Sequence, residues 1–296
     1  MIRGLLLLGA LALSLTARAA HPLQDQLWDL HEQRFVSPDT LFDRLPPGGW
    51  LLLGEQHDHP EHHRIQTEWI IRLAQRDQLG AVALEMADAG QQDAFDKARG
   101  KGSRVTPEDL RWQKGWDWGL YEQVVRTALD RAAAVVAADL PRGEQRKAYQ
   151  EGAPEGELGE PHNAFMRELL FESHCGQLPA SSLDGMRQVQ LARDQTMAER
   201  LRRYSNPAMT GVMITGGIHA RRDLGIPRWL NRPLVSVLMV SVENDKQAPE
   251  DYIPEGLADH LPATDYLLFT AAIPSRDYCT ELAAKTQDKS PESGRQ

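Results

Sequence analysis

The chain has 296 residues, 41% hydrophobic and 25% charged, with 42 acidic against 33 basic side chains and a formal charge of −9 at pH 7. This acid excess argues against a general nucleic-acid binder, whose affinity comes from counterion release by Lys and Arg. The length suffices to bury a sizeable core as one large domain, or as a domain with an insert. The two cysteines, Cys175 and Cys279, either pair in an oxidising compartment or stay as thiols, and the sequence leaves both readings open.

Residues 1–20 read as a signal peptide: Arg3 supplies the positive start, Gly4 to Leu15 the apolar region, and Ala17-Arg18-Ala19 a small-x-small cleavage site. About a dozen apolar residues cannot cross a hydrocarbon core about 30 Å thick. Cleavage deletes Arg3 and Arg18, taking the formal charge from −9 to −11. No cysteine near the cleavage point offers lipid attachment, so a soluble periplasmic protein is expected. Leu27 to Phe35 and Leu41-Phe42 fit a leading helix or irregular packing. Trp50 to Gly54 reads as the first strand, and 61–77 as a helix in which Ile65, Trp69, Ile70 and Leu73 recur at helical spacing. Strand 81–86 and helix 89–98 follow, then a helix-start signal at Thr106-Pro107-Glu108-Asp109. A helix over 119–132 leads into strand 134–139. A Gly-, Pro- and Glu-rich linker over 152–161 precedes two helical segments, split at Gly176-Gln177-Leu178-Pro179, that run to Tyr204. The sheet resumes with strand 211–215, a helix over about 219–230 and strand Leu234–Val242, and Tyr266 to Ile273 is placed as an antiparallel edge. The alternation predicts an α/β fold: a mostly parallel sheet flanked by helices, forming one domain over 21–283 with a helical insert or lobe over about 152–205. The polar tail, 284–296, is expected to be disordered.

Two turns share one design. Gly54-Glu55-Gln56-His57 and Gly216-Gly217-Ile218-His219 each follow an apolar run and present a histidine three residues after a glycine. Ligands of open α/β sheets bind outside the carboxyl ends of the strands, so the two histidines can converge on one site. The run Ala81-Val82-Ala83-Leu84 ends in Glu85 and adds a carboxylate. Glu55, His57, Glu85 and His219 suit a divalent metal with an open coordination position. His57, His219 and Glu85 equally suit metal-free hydrolysis, with an imidazole as general base and the carboxylate orienting water. Of the histidines in the following stretch, His57 is expected to face the site, and His59, His62 and His63 to line a rim or meet solvent. Arg142, after the third strand, can hold a carboxylate in its fork of donors or form a salt bridge at a helix start, and Asp139 stands beside it as a supporting group. Trp112, Trp116, Trp118 and Tyr121 can flank a large planar ligand or pack in the core.

The segment Leu52-Leu53-Gly54-Glu55-Gln56-His57-Asp58-His59-Pro60, with His62, His63 and Gln66, resembles the opening motif of the ChaN-like haem-binding uptake proteins of the Tiki and erythromycin-esterase-like superfamily. Ala83-Leu84-Glu85-Met86, Trp116-Asp117-Trp118 with Tyr121, and Ala138-Asp139-Leu140-Pro141-Arg142 are similar to its next blocks. So are His174-Cys175-Gly176, Gln190-Leu191-Ala192-Arg193-Asp194 and Gly216-Gly217-Ile218-His219, so that the likeness runs in order from about 48 to 243. The resemblance implies an exported bacterial protein that binds haem non-covalently through Tyr and His, as a homodimer, and works with haem receptor or transport components in iron uptake. On that basis Tyr121, then Tyr204, are the tyrosine candidates, His174 the histidine partner and Arg142 a propionate holder. Hydrolases elsewhere in the superfamily, some metal-dependent, rely on residues that match His57, His219 and Glu85 here. An alternative activity on a small ester, lactone or peptide therefore stays open. Two departures stand out: there is no lipid-attachment cysteine after the signal, and Asp139 stands where Asn is common.

Overall fold

Strands buried on both faces alternate their side chains between two cores, and this rule organises the molecule. The computed structural model describes residues 21–257, 261–274 and 276–280; the signal-like segment and the polar tail lie outside the described residues. The strands are β1 (Leu27–Asp29), β2 (Arg34–Val36), β3 (Trp50–Glu55), β4 (Leu79–Asp88), β5 (Ala134–Asp139), β6 (Thr210–Gly216), β7 (Leu234–Ser241) and β8 (Tyr266–Thr270). The helices are α1 (Pro38–Asp43), α2 (Pro60–Gln75), α3 (Gln92–Ala98), α4 (Trp118–Arg131), α5 (Arg142–Glu151), α6 (Glu160–Ser173), α7 (Ala180–Tyr204) and α8 (Gly217–Ala220). All eight strands join one sheet in the order β2-β1-β8-β7-β3-β6-β4-β5. Pairing is parallel from β8 through to β5 and antiparallel where β1 meets β8 and β2.

Leu51 and Leu53 of β3 turn toward one core with Ile70 and Leu73 of α2 and Val124 and Ala128 of α4. Trp50 and Leu52 turn toward the other, with Met197, Ala198 and Leu201 of α7. Each large apolar side chain so buried contributes about 1.5–3 kcal/mol. The helices α6 and α7 follow α5, with α7 packed on β5 and β4.

Four expectations need correction. Leu27–Phe35 is neither helix nor irregular packing: it contains the antiparallel pair β1–β2, while Leu41 and Phe42 lie in α1. The last strand is no edge, because β8 lies between β1 and β7 and runs parallel to β7. Thr106 and Asp109 exchange the expected capping hydrogen bonds, yet no helix follows. Arg111, at φ 53°, turns the chain left-handed and ends the first turn. The helix over 219–230 shrinks to α8 and a single 3-10 turn at Ile226–Arg228, where Pro227 follows a Gly225 packed against the His219 carbonyl.

Candidate functional site

Because β6 is inserted between β3 and β4, the two glycine–histidine turns become neighbours. Glu55 at the end of β3 pairs in register with Gly216 at the end of β6, and Ile214 of β6 with Leu84 of β4. Glu55, Glu85, Asp139 and the turn into α8 therefore share one rim of the sheet. Helix α7 lays Arg193 and Asp194 over that rim, and α4 brings Tyr121 under it. Between them opens a cavity of about 770 Å³ that Glu55, His57, Glu85, Arg193, His219 and Tyr121 all line. That volume is within the range of about 300–1,000 Å³ usual for small-molecule and cofactor sites.

Arg193 is the hub. Its guanidinium donates to Glu85 Oε1 at 2.7 Å, to Asp139 Oδ1 and Oδ2 at 2.8 and 3.0 Å, and to His219 Nε2 at 3.2 Å. Glu85 also accepts from the Thr215 hydroxyl and the Gly216 amide, both at 2.7 Å. Burial pushes the Glu85 carboxyl up, but its neighbours His219, Arg193 and His57 outweigh it and hold the group ionised. His219 receives Arg193 on Nε2, so Nδ1 donates to Asp194 at 2.6 Å. Burial lowers the His219 pKa, while Asp194 and Glu85 raise it by more.

The second imidazole is more open. His57 Nδ1 donates to Glu55 Oε1 at 2.9 Å, while Nε2 lies over Gly216 with no hydrogen-bond partner among the described residues. A Cβ at Gly216 would fall 2.8 Å from that nitrogen and 3.7 Å from Glu85 Oε2, so only glycine permits this approach. Glu55 also accepts from Tyr121 at 2.5 Å and from the Gln66 amide. Burial pushes Glu55 up, but hydrogen bonds from His57 and His63 win and hold it at about 2. Burial also lowers the His57 pKa, yet Glu55 and Glu85 carry it above its usual value.

The family model described as haem-binding uptake, Tiki superfamily, ChaN, matches residues 41–230. The chain belongs to this family. A solved structure described as cofacial haem binding to ChaN of Campylobacter jejuni has a TM-score of 0.65 at 23% identity, covering 82% of this chain and 95% of that one, so the fold is shared. A Bacillus cereus protein (TM-score 0.45, 10% identity, 78% and 90% covered) and a mutant erythromycin esterase in its open conformation (0.44, 13%, 88% and 86%) are more distant. No curated protein matches the chain.

Within this ChaN-family fold, the residues singled out from the sequence divide cleanly. His57, His219, Glu55, Glu85 and Tyr121 line one cavity. Tyr121 is buried with its hydroxyl donated to Glu55, and burial followed by the Glu55 charge drives its pKa above the usual phenol range. Tyr204 ends α7 and stacks against Arg200, three helical turns beyond Arg193. His174 caps α6, its ring bonded to the Leu170 carbonyl at 2.8 Å, and Arg142 is exposed at the start of α5. None of these three is among the residues lining the cavity. The divalent-metal expectation is corrected: among the described residues no three His, Cys, Asp or Glu side chains are placed to hold a metal ion. Arg193 is the physical reason, since its fork fills the space between Glu85 and His219 that a cation would need.

His59, His62 and His63 are buried, not on a rim. His59 and His62 stack at 4.0 Å, and His62 accepts from the Gln56 amide and donates to Thr270, fastening the strand end to β8. The residues the sequence reading left without a role are Arg193, Asp194 and Gln66. A signal for Asp194 existed: it falls on the same helical stripe as buried Met197, Ala198 and Leu201, where a charge must find a partner.

Proposed function

We propose that this chain is an exported haem-binding protein of a haem or iron uptake route, holding haem non-covalently in the cavity described above. The observation that carries the reading is the division of that one cavity into an apolar wall and a charged, imidazole-bearing floor. Trp116, Leu120, Met166, Leu169, Leu170 and Ile218 form the wall, and Arg193, His57 and His219 the floor. A porphyrin asks for this combination: a broad apolar body, two carboxylates, and an iron that accepts nitrogen or oxygen donors. His57 is the residue suited to the iron, because a carboxylate anchors its Nδ1 and leaves Nε2 toward the cavity, as ligating imidazoles are commonly held. Bound haem would supply an iron that accepts such a donor, with His57 the residue that would hold it. Arg193 supports an anionic guest indirectly: its N–H groups are committed to Glu85, Asp139, Gln190 and His219, and its charge offsets the two carboxylates. Homodimer formation and a receptor or transport partner belong to the same proposal.

Hemin titration tests it. The mature protein should give a saturable Soret shift, and His57→Ala should weaken or alter it; no saturable change in the wild type overturns the proposal. Fractionation should place the mature chain in the periplasm with the segment through Ala19 or Ala20 removed, and sedimentation with and without hemin reads the dimer.

A second reading, hydrolysis of a small ester, lactone or peptide, is favoured by the two carboxylate-backed imidazoles, His57 with Glu55 and His219 with Asp194, at one cavity. His57, with its open Nε2, is placed to take a proton from water, and His219, held by Asp194 and Arg193, orders the charge around it with Glu85. Chromogenic esters test it: turnover lost in both His57→Ala and His219→Ala supports the reading, and absence of turnover ends it.

A further inference from the structure

The apolar wall of the cavity and its mouth are tied together covalently. Met166, Leu169, Leu170 and Ser173 of α6 line the cavity, and the next turn carries Cys175. Cys175 is disulfide-bonded to Cys279, a sequence separation of 104. Just before Cys279, Arg276 and Tyr278 also line the cavity, from the opposite side of the α6 wall. Tyr278 donates its hydroxyl to Asp58, which follows His57 in the β3 turn, and the Arg276 guanidinium stacks on the Tyr278 ring at 5.1 Å. Segment 276–280 therefore bridges the β3 turn and the end of α6. It is exposed along its length and lies beyond the residues that the family model matches. Its attachments include the Tyr278 hydrogen bond to Asp58 at one end and the disulfide at the other. Both cysteines of the chain are spent on this one tether.

We propose that Arg276–Cys279 is a strap across the mouth of the site cavity, fastened by the Cys175–Cys279 disulfide, and that reduction of this bond frees the strap and speeds exchange of whatever the cavity holds. That the cargo is haem rests on the function proposed above; the strap itself does not. Cys279 is exposed, so a small dithiol has access to it. One thiolate of the dithiol attacks a cysteine sulfur, forming a mixed disulfide and releasing the other cysteine, which takes up a proton. The second thiol of the dithiol then displaces the remaining cysteine. The products are two protein thiols and one oxidised dithiol. With the bond open, the segment loses its covalent tie to the end of α6 and the conformational restriction that tie imposes.

Exit rates measure the strap. Hemin and the fluorescent anion 1-anilinonaphthalene-8-sulfonate serve as two probes, on oxidised wild type, dithiol-treated wild type and Cys175→Ser/Cys279→Ser without reductant. Exit should rise at least about tenfold when the bond is absent, with association changed less. Equal exit rates in all three forms overturn the strap, as do two titratable thiols in the folded protein isolated from an oxidising compartment. If hemin does not bind but the fluorescent anion leaves faster from the serine variant, the haem reading fails and the strap stands. Should the serine variant not fold, Tyr278→Ala with the disulfide intact decides: faster exit supports the strap, and an unchanged rate overturns it.

Discussion

Replacing Arg193 with Met removes one buried cation and keeps most of its apolar stem. The side chain is 14% exposed and joins Glu85, 2% exposed, to Asp139, 11% exposed. Removing one partner from such a buried set costs about 3–5 kcal/mol, because the carboxylates left behind are desolvated and uncompensated. For a domain of this size that loss corresponds to a fall in Tm of about 6–10 °C. The loss must also depend on pH. Burial already raises the Asp139 carboxyl above its usual value despite Arg193, and without the guanidinium it rises further. A carboxyl whose folded pKa exceeds its unfolded one weakens the fold most at neutral pH and is relieved as pH falls toward the unfolded value. Urea unfolding of wild type and variant at pH 7 and pH 5 should therefore show the gap narrowing at pH 5. Adding Asp139→Asn should recover part of the loss, since Asn still accepts from the Leu140 amide while carrying no charge. A variant within about 1 kcal/mol of wild type at pH 7 refutes the hub role of Arg193, because a surface pair would behave that way. A loss no smaller at pH 5 refutes the charge argument.

Gly216→Ala should leave the fold nearly intact, since φ −63° and ψ 152° suit any residue, but its Cβ must displace His57 from 2.8 Å. Hemin binding should weaken or change spectrum, and an unchanged titration would show that the His57 position is unimportant. Acid should destabilise the chain in two overlapping windows. Glu55, held at about 2 against an ordinary value of 4.5, contributes stability above 4.5 that is lost as pH falls through 2. His62, buried beside His59 and lowered to about 3 from 6.5, must charge on unfolding, so stability also falls as pH drops from 6.5 toward 3. Urea midpoints that stay level between pH 7 and pH 4 would contradict the His62 assignment, and midpoints level between pH 4.5 and pH 2 the Glu55 one.

The strands β3, β4, β5, β6 and β7 were legible because each is apolar on both faces, and a parallel sheet covered by helices demands that pattern. The same logic fails for direction. Tyr266–Thr270 is apolar and buried throughout, as a parallel or an antiparallel neighbour would be, so only its partners β7 and β1 fix how it runs. Local signals misled where tertiary packing overrode them: Thr106 and Asp109 cap one another as a helix start would, and Arg111 then turns the chain away. The His59–His63 stretch looked like a solvated rim because no local pattern reveals that Thr270 and Ala271, more than 200 residues on, supply partners for His62 and His59.

The site was legible where its residues sit at strand ends, and illegible where its charge comes from across the sheet. The glycines and histidines of the two turns advertise themselves because strand, glycine and histidine are contiguous in sequence. Arg193 carries no such local mark: its acceptors Glu85, Asp139 and His219 come from β4, β5 and the turn after β6. That one residue changes the chemistry of the cavity. Two histidines and two glutamates alone are a metal-ligand set, and with a guanidinium between Glu85 and His219 they become a fixed, non-titrating cation with its counter-charges. A metal site exchanges protons and ligands as it loads, whereas a guanidinium does not. The floor of this cavity therefore keeps a permanent cation whose donors are spent on its own counter-charges, while His57 alone retains an open nitrogen beside it.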